Sequence, residues 1–126
     1  MAVKPTESEL EILQVLWSKG TCTVREVNEE LSSSKETKIG YTTTLKLMQI
    51  MLDKGLVTRD ASTRTHIYSA EVSQEYTRGN ILDKLISGMF NGSASQLVMQ
   101  ALNNKKSSKE EIDAIKKYLA HLDKND

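Results

Sequence analysis

One cysteine, one proline, one tryptophan and one phenylalanine occur among the 126 residues, and aromatics together make up 5%. Each scarcity excludes something. With Cys22 alone, no disulfide can form within the chain, and a reducing cytoplasm is the expected setting. His66 and His121 are the only histidines, and no His, Cys or carboxylate residues cluster at ligand spacing, so no metal site is expected. Cys22 falls in a turn between helices and reads as a small packed residue. Neither a glycine-rich phosphate loop nor a nucleophile elbow is present, which argues against an enzyme and against a bound cofactor. Charged residues interrupt every apolar run well short of the roughly 20 residues of a membrane span, so membrane insertion is not expected. Met1-Ala2-Val3-Lys4-Pro5 also lacks the apolar core of a signal peptide.

An excess of charge is missing too: 17 Lys and Arg balance 17 Asp and Glu. The distribution is nevertheless uneven. Up to Ser34, Glu7, Glu9, Glu11, Glu26, Glu29 and Glu30 outnumber Lys4, Lys19 and Arg25. From Lys35 to His66 the balance reverses, with Lys35, Lys38, Lys46, Lys54, Arg59 and Arg64 against Glu36, Asp53 and Asp60. A locally basic stretch suits a phosphate-facing surface, and it equally suits a solvated surface of mixed charge.

What is present is helical patterning with three N-terminal capping boxes. Thr6-Glu7-Ser8-Glu9 opens a first helix carrying Leu10, Leu13, Val15, Leu16 and Trp17, with Gly20 as its stop. Thr23-Val24-Arg25-Glu26 opens a second with Val27 and Leu31 on one side, and Ser32 to Lys38 reads as a loop. Tyr41 to Lys54 forms a third, closed by Gly55, whose apolar side centres on Met48 and Met51. Leu56-Val57-Thr58-Arg59-Asp60 and Thr65-His66-Ile67-Tyr68-Ser69 then flank Ala61-Ser62-Thr63-Arg64 as a hairpin. Three helices followed by a hairpin are the order of a winged helix-turn-helix.

The second half returns to helix. Segments from Ser73 to about Phe90 and from Ser95 to Leu102 are separated by Asn91-Gly92-Ser93. After a polar loop from Asn103 to Ser107, Ser108-Lys109-Glu110-Glu111 opens a last helix. The expected fold is therefore mainly α with a small β-hairpin: a winged helix over 1–70 and a helical dimerisation region over 71–126. Ile81, Leu82, Leu85, Ile86, Leu97, Val98, Ile112, Ile115 and Leu119 offer more apolar surface than so short a region can bury alone, and are the expected dimer contacts.

The third helix carries the functional signal. Opposite its apolar side stand Thr42, Lys46 and Gln49, with Thr43 and Ile50 at the edge and Tyr41 at the N-terminal end, where phosphates are favoured. A major-groove reader needs short hydroxyls for phosphates and thymine methyls, and Lys or Gln for base edges. A run of threonines at a helix start costs propensity without obvious structural return. Arg59 and Arg64 in the hairpin are candidates for the backbone or minor groove, although basic hairpin tips are common on solvated surfaces.

Glu11-Ile-Leu-Gln-Val-Leu-Trp17, Thr23-Val-Arg-Glu-Val27, Gly40-Tyr-Thr-Thr-Thr-Leu-Lys46, Asp53-Lys-Gly-Leu-Val57, Thr65-His-Ile-Tyr68 and Phe90-Asn-Gly-Ser93 with Leu97-Val98 form an ordered set. Together they resemble the penicillinase-repressor (BlaI/MecI/CopY) family from about Glu7 to Leu119. The resemblance implies a bacterial winged-helix repressor, dimeric through its C-terminal helices, that binds a dyad operator in double-stranded DNA. By position it gives Tyr41, Thr42, Thr43 and Lys46 the major-groove role. It also implies a membrane sensor-protease as partner, with cleavage at the position of Gln100-Ala101. Family members switched in that way carry Asn-Phe there, and this departure weighs against cleavage. Copper-responsive members carry Cys-x-Cys pairs near the C-terminus, whereas this chain ends His121-Leu-Asp-Lys-Asn-Asp126. The alternative of another class is a winged-helix module whose third helix packs on a protein. Affinity for DNA should fall steeply with salt, whereas an apolar protein interface should not respond in that way.

Overall fold

The side-chain chemistry of the first helix start is realised in full in the computed structural model, which describes residues 4–34 and 38–124. Met1 to Val3, Lys35 to Thr37, Asn125 and Asp126 lie outside the described residues, and with them part of the expected loop and of the basic stretch. Thr6 Oγ1 accepts from the Glu9 amide at 3.2 Å while Glu9 Oε1 accepts from the Thr6 amide at 2.8 Å, and α1 (Glu7–Lys19) follows. The Thr23–Glu26 box closes in the same two-way manner, at 3.2 and 2.8 Å, ahead of α2 (Val24–Ser34). Each box satisfies two amides that the helix itself leaves without partners.

Ser32 to Ser34, expected in a loop, are helical. Ser33 Oγ and Ser34 Oγ donate back to the carbonyls of Glu30 and Leu31 at 3.0 and 3.1 Å, so both hydroxyls are partnered within the last turn. Helix α3 (Tyr41–Asp53) ends as its glycine requires. Gly55 has φ +79°, and the amides of Gly55 and Leu56 reach back to the carbonyls of Leu52 and Met51 at 3.1 and 2.9 Å. Leu56 and Met51, joined by the longer of these turns, are both buried, so the helix stop is also a packing contact.

Strands β1 (Val57–Asp60) and β2 (Ile67–Ala70) pair antiparallel, Val57 opposite Ala70 and Asp60 opposite Ile67. The loop between them runs from Ala61 to His66 and takes in Thr65 and His66, which were expected in the strand. Side chains replace the ladder there: Asp60 Oδ1 accepts from the Ser62 amide at 2.9 Å, and Thr63 Oγ1 donates to the Thr65 carbonyl at 2.7 Å. Patterning also gave no sign that Cys22 bonds to the hairpin. The Cys22 and Tyr68 amides exchange hydrogen bonds of 3.0 and 2.8 Å, which adds a short third rung to the wing.

The chain divides into two compact units, Met1–Gly79 and Asn80–Asp126, and the division falls within α4 (Gln74–Met89). In the first unit α1, α2 and α3 pack on one another and on the hairpin around Ile12, Leu13, Leu16, Val27, Met48, Met51, Leu56 and Tyr68, all at most 2% exposed. Each such aliphatic side chain contributes about 1.5–3 kcal/mol relative to remaining in water. The Trp17 indole N–H donates to the Val72 carbonyl at 2.9 Å and fastens the chain after β2 to α1.

Glu9 is also buried, at 2% exposure, and its Oε1 lies 2.6 Å from Lys54 Nζ. Burial pushes the Glu9 pKa up, but the hydrogen bond from Lys54, the Thr6 amide and the Lys54 charge outweigh it and hold the carboxyl below its ordinary value. This pair joins the start of α1 to the residue that ends α3.

The second unit comprises the rest of α4, then α5 (Ala94–Asn104) and α6 (Lys109–Lys124). Helix α5 starts one residue before the expected Ser95, because Ser93 Oγ caps it by accepting from the Gln96 amide at 3.2 Å. It also continues through Asn103 and Asn104, where the Gln100 side-chain amide donates to Asn104 Oδ1 at 2.9 Å. Ser108 accepts from the Glu111 amide at 3.1 Å and starts α6 where expected. Neither α5 nor α6 contains a buried residue. Leu82, Val98, Leu102, Leu119 and Leu122 are exposed, and Ile81, Leu85, Ile86, Leu97, Ile112 and Ile115 are half-buried. Among the described residues no helix is long and apolar enough to cross a membrane.

Candidate nucleic-acid interface

Helix α3 has one buried side and one open side. Thr44, Met48 and Met51 are fully buried, while Tyr41, Thr42, Thr43, Lys46, Gln49, Ile50 and Asp53 are exposed. The seven-residue spacing from Thr42 to Gln49, with Lys46 between them, puts all three on one stripe of the helix. Thr44 departs from the expectation that the threonine run lacks a structural role. Its Oγ1 accepts from Asn28 Nδ2 at 3.0 Å, so its hydroxyl is satisfied on the inner side. Only Thr42 and Thr43 remain as outward threonines.

Gly40 precedes α3 in extended conformation and brings no side chain to cap it. The N-terminal end of the helix, where the backbone dipole favours anions, is thus free of a competing oxygen. Beside it lies a surface recess of about 480 Å³ lined by Thr23, Arg25, Tyr41, Leu45, Arg64 and His66, among others. The start of α2, the start of α3 and the wing loop therefore meet at one place. Arg25, Lys46 and Arg64 have no ion-pair partner among the described residues. Of these, Arg25 and Arg64 bring cationic charge to the recess itself, chemistry that suits an anionic oxygen.

Of the residues singled out from sequence, Tyr41 and Arg64 meet in this recess, and Thr42, Thr43, Lys46 and Gln49 share the open side of α3. Arg59 does not join them: it stands on β1 opposite Tyr68 and is not part of the recess lining. Arg25 and His66 line the recess but were not picked out from sequence. The available signal was the Thr23–Glu26 box, which fixes Arg25 in the first turn of α2, next to an anion-favouring helix start. Gln100 and Ala101, at the cleavage position implied by the resemblance, are exposed but lie inside α5, where the Ala101 carbonyl accepts from the Lys105 amide at 3.2 Å. Cys22 is buried, and burial followed by the Glu26 carboxylate pushes its thiol pKa up, as for an inert packed residue.

Several known proteins are similar to this chain. The transcriptional regulator BlaI of Mycobacterium tuberculosis is 28% identical over 117 residues, covering 91% of this chain and 82% of that protein. A penicillinase repressor from Staphylococcus aureus is 20% identical over 127 residues, covering 98% and 99%. Among solved structures, the DNA-binding domain of the repressor BlaI superposes with TM-score 0.50 at 22% identity, covering 59% of this chain and 90% of its own. RosR of H. salinarum superposes with TM-score 0.54 at 15% identity, covering 96% of each chain. At these identities the structural likeness establishes the winged-helix fold. The penicillinase repressor family model matches residues 5–121, and the chain therefore belongs to that family of transcriptional repressors, which are not enzymes.

Proposed function

We propose that this protein represses transcription in the bacterial cytoplasm as a homodimer, with two copies of α3 entering successive major grooves of a dyad operator and excluding polymerase. Residues 1–70 form the reading head and 71–126 the dimerisation region. The observation that carries the reading is the open side of α3, where Thr42, Lys46 and Gln49 form a polar stripe beside a recess holding Arg25 and Arg64, neither of which has an ion-pair partner among the described residues. Lys46 and Gln49 meet base edges, Thr42 and Thr43 meet phosphates and thymine methyls, and Tyr41 with Arg64 seats the backbone. Arg59, on the outer strand of the wing, adds a second backbone contact. The half-exposed apolar residues of α4, α5 and α6 form the dimer contact.

A proteolytic switch is not part of this proposal. The Gln100–Ala101 bond lies within helical backbone and would have to unwind before a protease reached it. Lys46→Ala tests the groove assignment. It is expected to cost about 1–3 kcal/mol of affinity for the operator duplex, the size of one good base contact, with a much smaller loss on shuffled duplex. Equal losses on both duplexes, measured by fluorescence anisotropy, would mean that Lys46 meets only phosphate.

A further inference from the structure

The aim of α3 depends at its N-terminal end on one side chain of α2. Asn28 Nδ2 donates to the Ile39 carbonyl at 2.8 Å and to Thr44 Oγ1 at 3.0 Å. A carboxamide nitrogen has two N–H donors, and both are used here. One holds the residue just before the N-cap Gly40, and the other holds a fully buried residue in the first turn of α3. Ser32 Oγ, one turn further along α2, accepts from the Ile39 amide at 3.4 Å. Apolar contacts between α2 and α3 fix their separation but permit sliding. Two directional bonds from one planar group fix rotation as well.

The opposite end of α3 is anchored differently, by the Gly55 turn and by the Glu9–Lys54 ion pair. Without Asn28 the helix would stay docked at its C-terminal end while its N-terminal turn, carrying Tyr41, Thr42 and Thr43, loses its alignment. We propose that Asn28 is a positioning residue for sequence reading: its double hydrogen bond sets the rotation of α3 at which Thr42, Thr43 and Lys46 meet the groove. The inference rests on the DNA-reading proposal above. Base-edge hydrogen bonds are lost over small angular errors, whereas attraction of Arg and Lys to phosphates tolerates them. Removal of the clamp should therefore separate specific from non-specific affinity. A side chain that only supports the fold would lower both through the folded fraction.

The test uses the full chain. Wild-type protein enriches duplexes from a randomised library, and dissociation constants are measured for the best duplex and for a shuffled duplex of equal composition. For Asn28→Ala the ratio of the two affinities is expected to fall at least about tenfold, the loss of one good base contact, while affinity for the shuffled duplex is retained. Thr44→Val keeps the bulk of the buried side chain and removes one of the two acceptors. It is expected to lower the same ratio by less, and it carries the test should Asn28→Ala prove unfolded by circular dichroism. An unchanged ratio in the folded variant, or equal losses on both duplexes, overturns the positioning role and leaves DNA reading intact. If the wild-type chain enriches no duplex, DNA reading itself fails, and the role of Asn28 fails with it.

Discussion

The full chain carrying Val98→Glu and Leu119→Glu together is expected to be a monomer at micromolar concentration and to bind a dyad duplex about a hundredfold or more weakly. In a single chain Val98 is 48% and Leu119 56% exposed, so glutamate at either position stays in water and costs that chain little. In a dimer that buries the apolar sides of α5 and α6, the same glutamates would lose their water without gaining partners. Helices α5 and α6 contain no buried residue and expose Val98, Leu102, Leu119 and Leu122, and Leu82 of α4 is exposed as well, an apolar surface that suits an interface between chains. The affinity loss comes from linkage. A dimer holds its second reading head beside the second half-site, and separation turns one two-site event into two weak ones. Light scattering and a duplex titration check the two halves of this result. A dimer that survives both substitutions would show that association does not use these positions.

Raising salt from about 50 to about 200 mM is expected to weaken DNA binding about a thousandfold, the consequence of about six phosphate contacts per dimer. Such contacts would come from Arg25, Arg59 and Arg64 on each reading head, and no counter-charge pairs with Arg25 or Arg64 among the described residues. The whole chain has no net charge, so this response cannot arise from bulk attraction and must come from the local arrangement. A logarithmic plot of affinity against salt gives the slope directly. A flat plot would point instead to an apolar partner, as for a protein-interaction module.

Local chemistry was legible in the sequence because it acts over a few residues. The boxes at Thr6–Glu9 and Thr23–Glu26, the Ser108 cap and the Gly55 stop each depend on neighbours within one or two turns. The buried side of α3 at Met48 and Met51 followed from helical period alone. Contacts between distant positions were not legible in the same way. Periodicity cannot show that Cys22 pairs with Tyr68, that Glu9 meets Lys54, or that Asn28 reaches Thr44, because tertiary packing creates those neighbours. The candidate site divides along the same line. Lys46 and Gln49 were visible as the outward stripe of one helix, whereas Arg25 became a candidate only once α2, α3 and the wing loop were brought together. Thr44 belongs with these distant pairs, because the partner of its hydroxyl lies 16 residues away.

Sequence-specific reading is tested most directly by the affinity of this chain for DNA upstream of its own gene against a shuffled duplex at about 150 mM salt. Specific binding is expected to be tighter by at least about a thousandfold, with two chains on each occupied site. Equal affinity for the two duplexes would contradict the account.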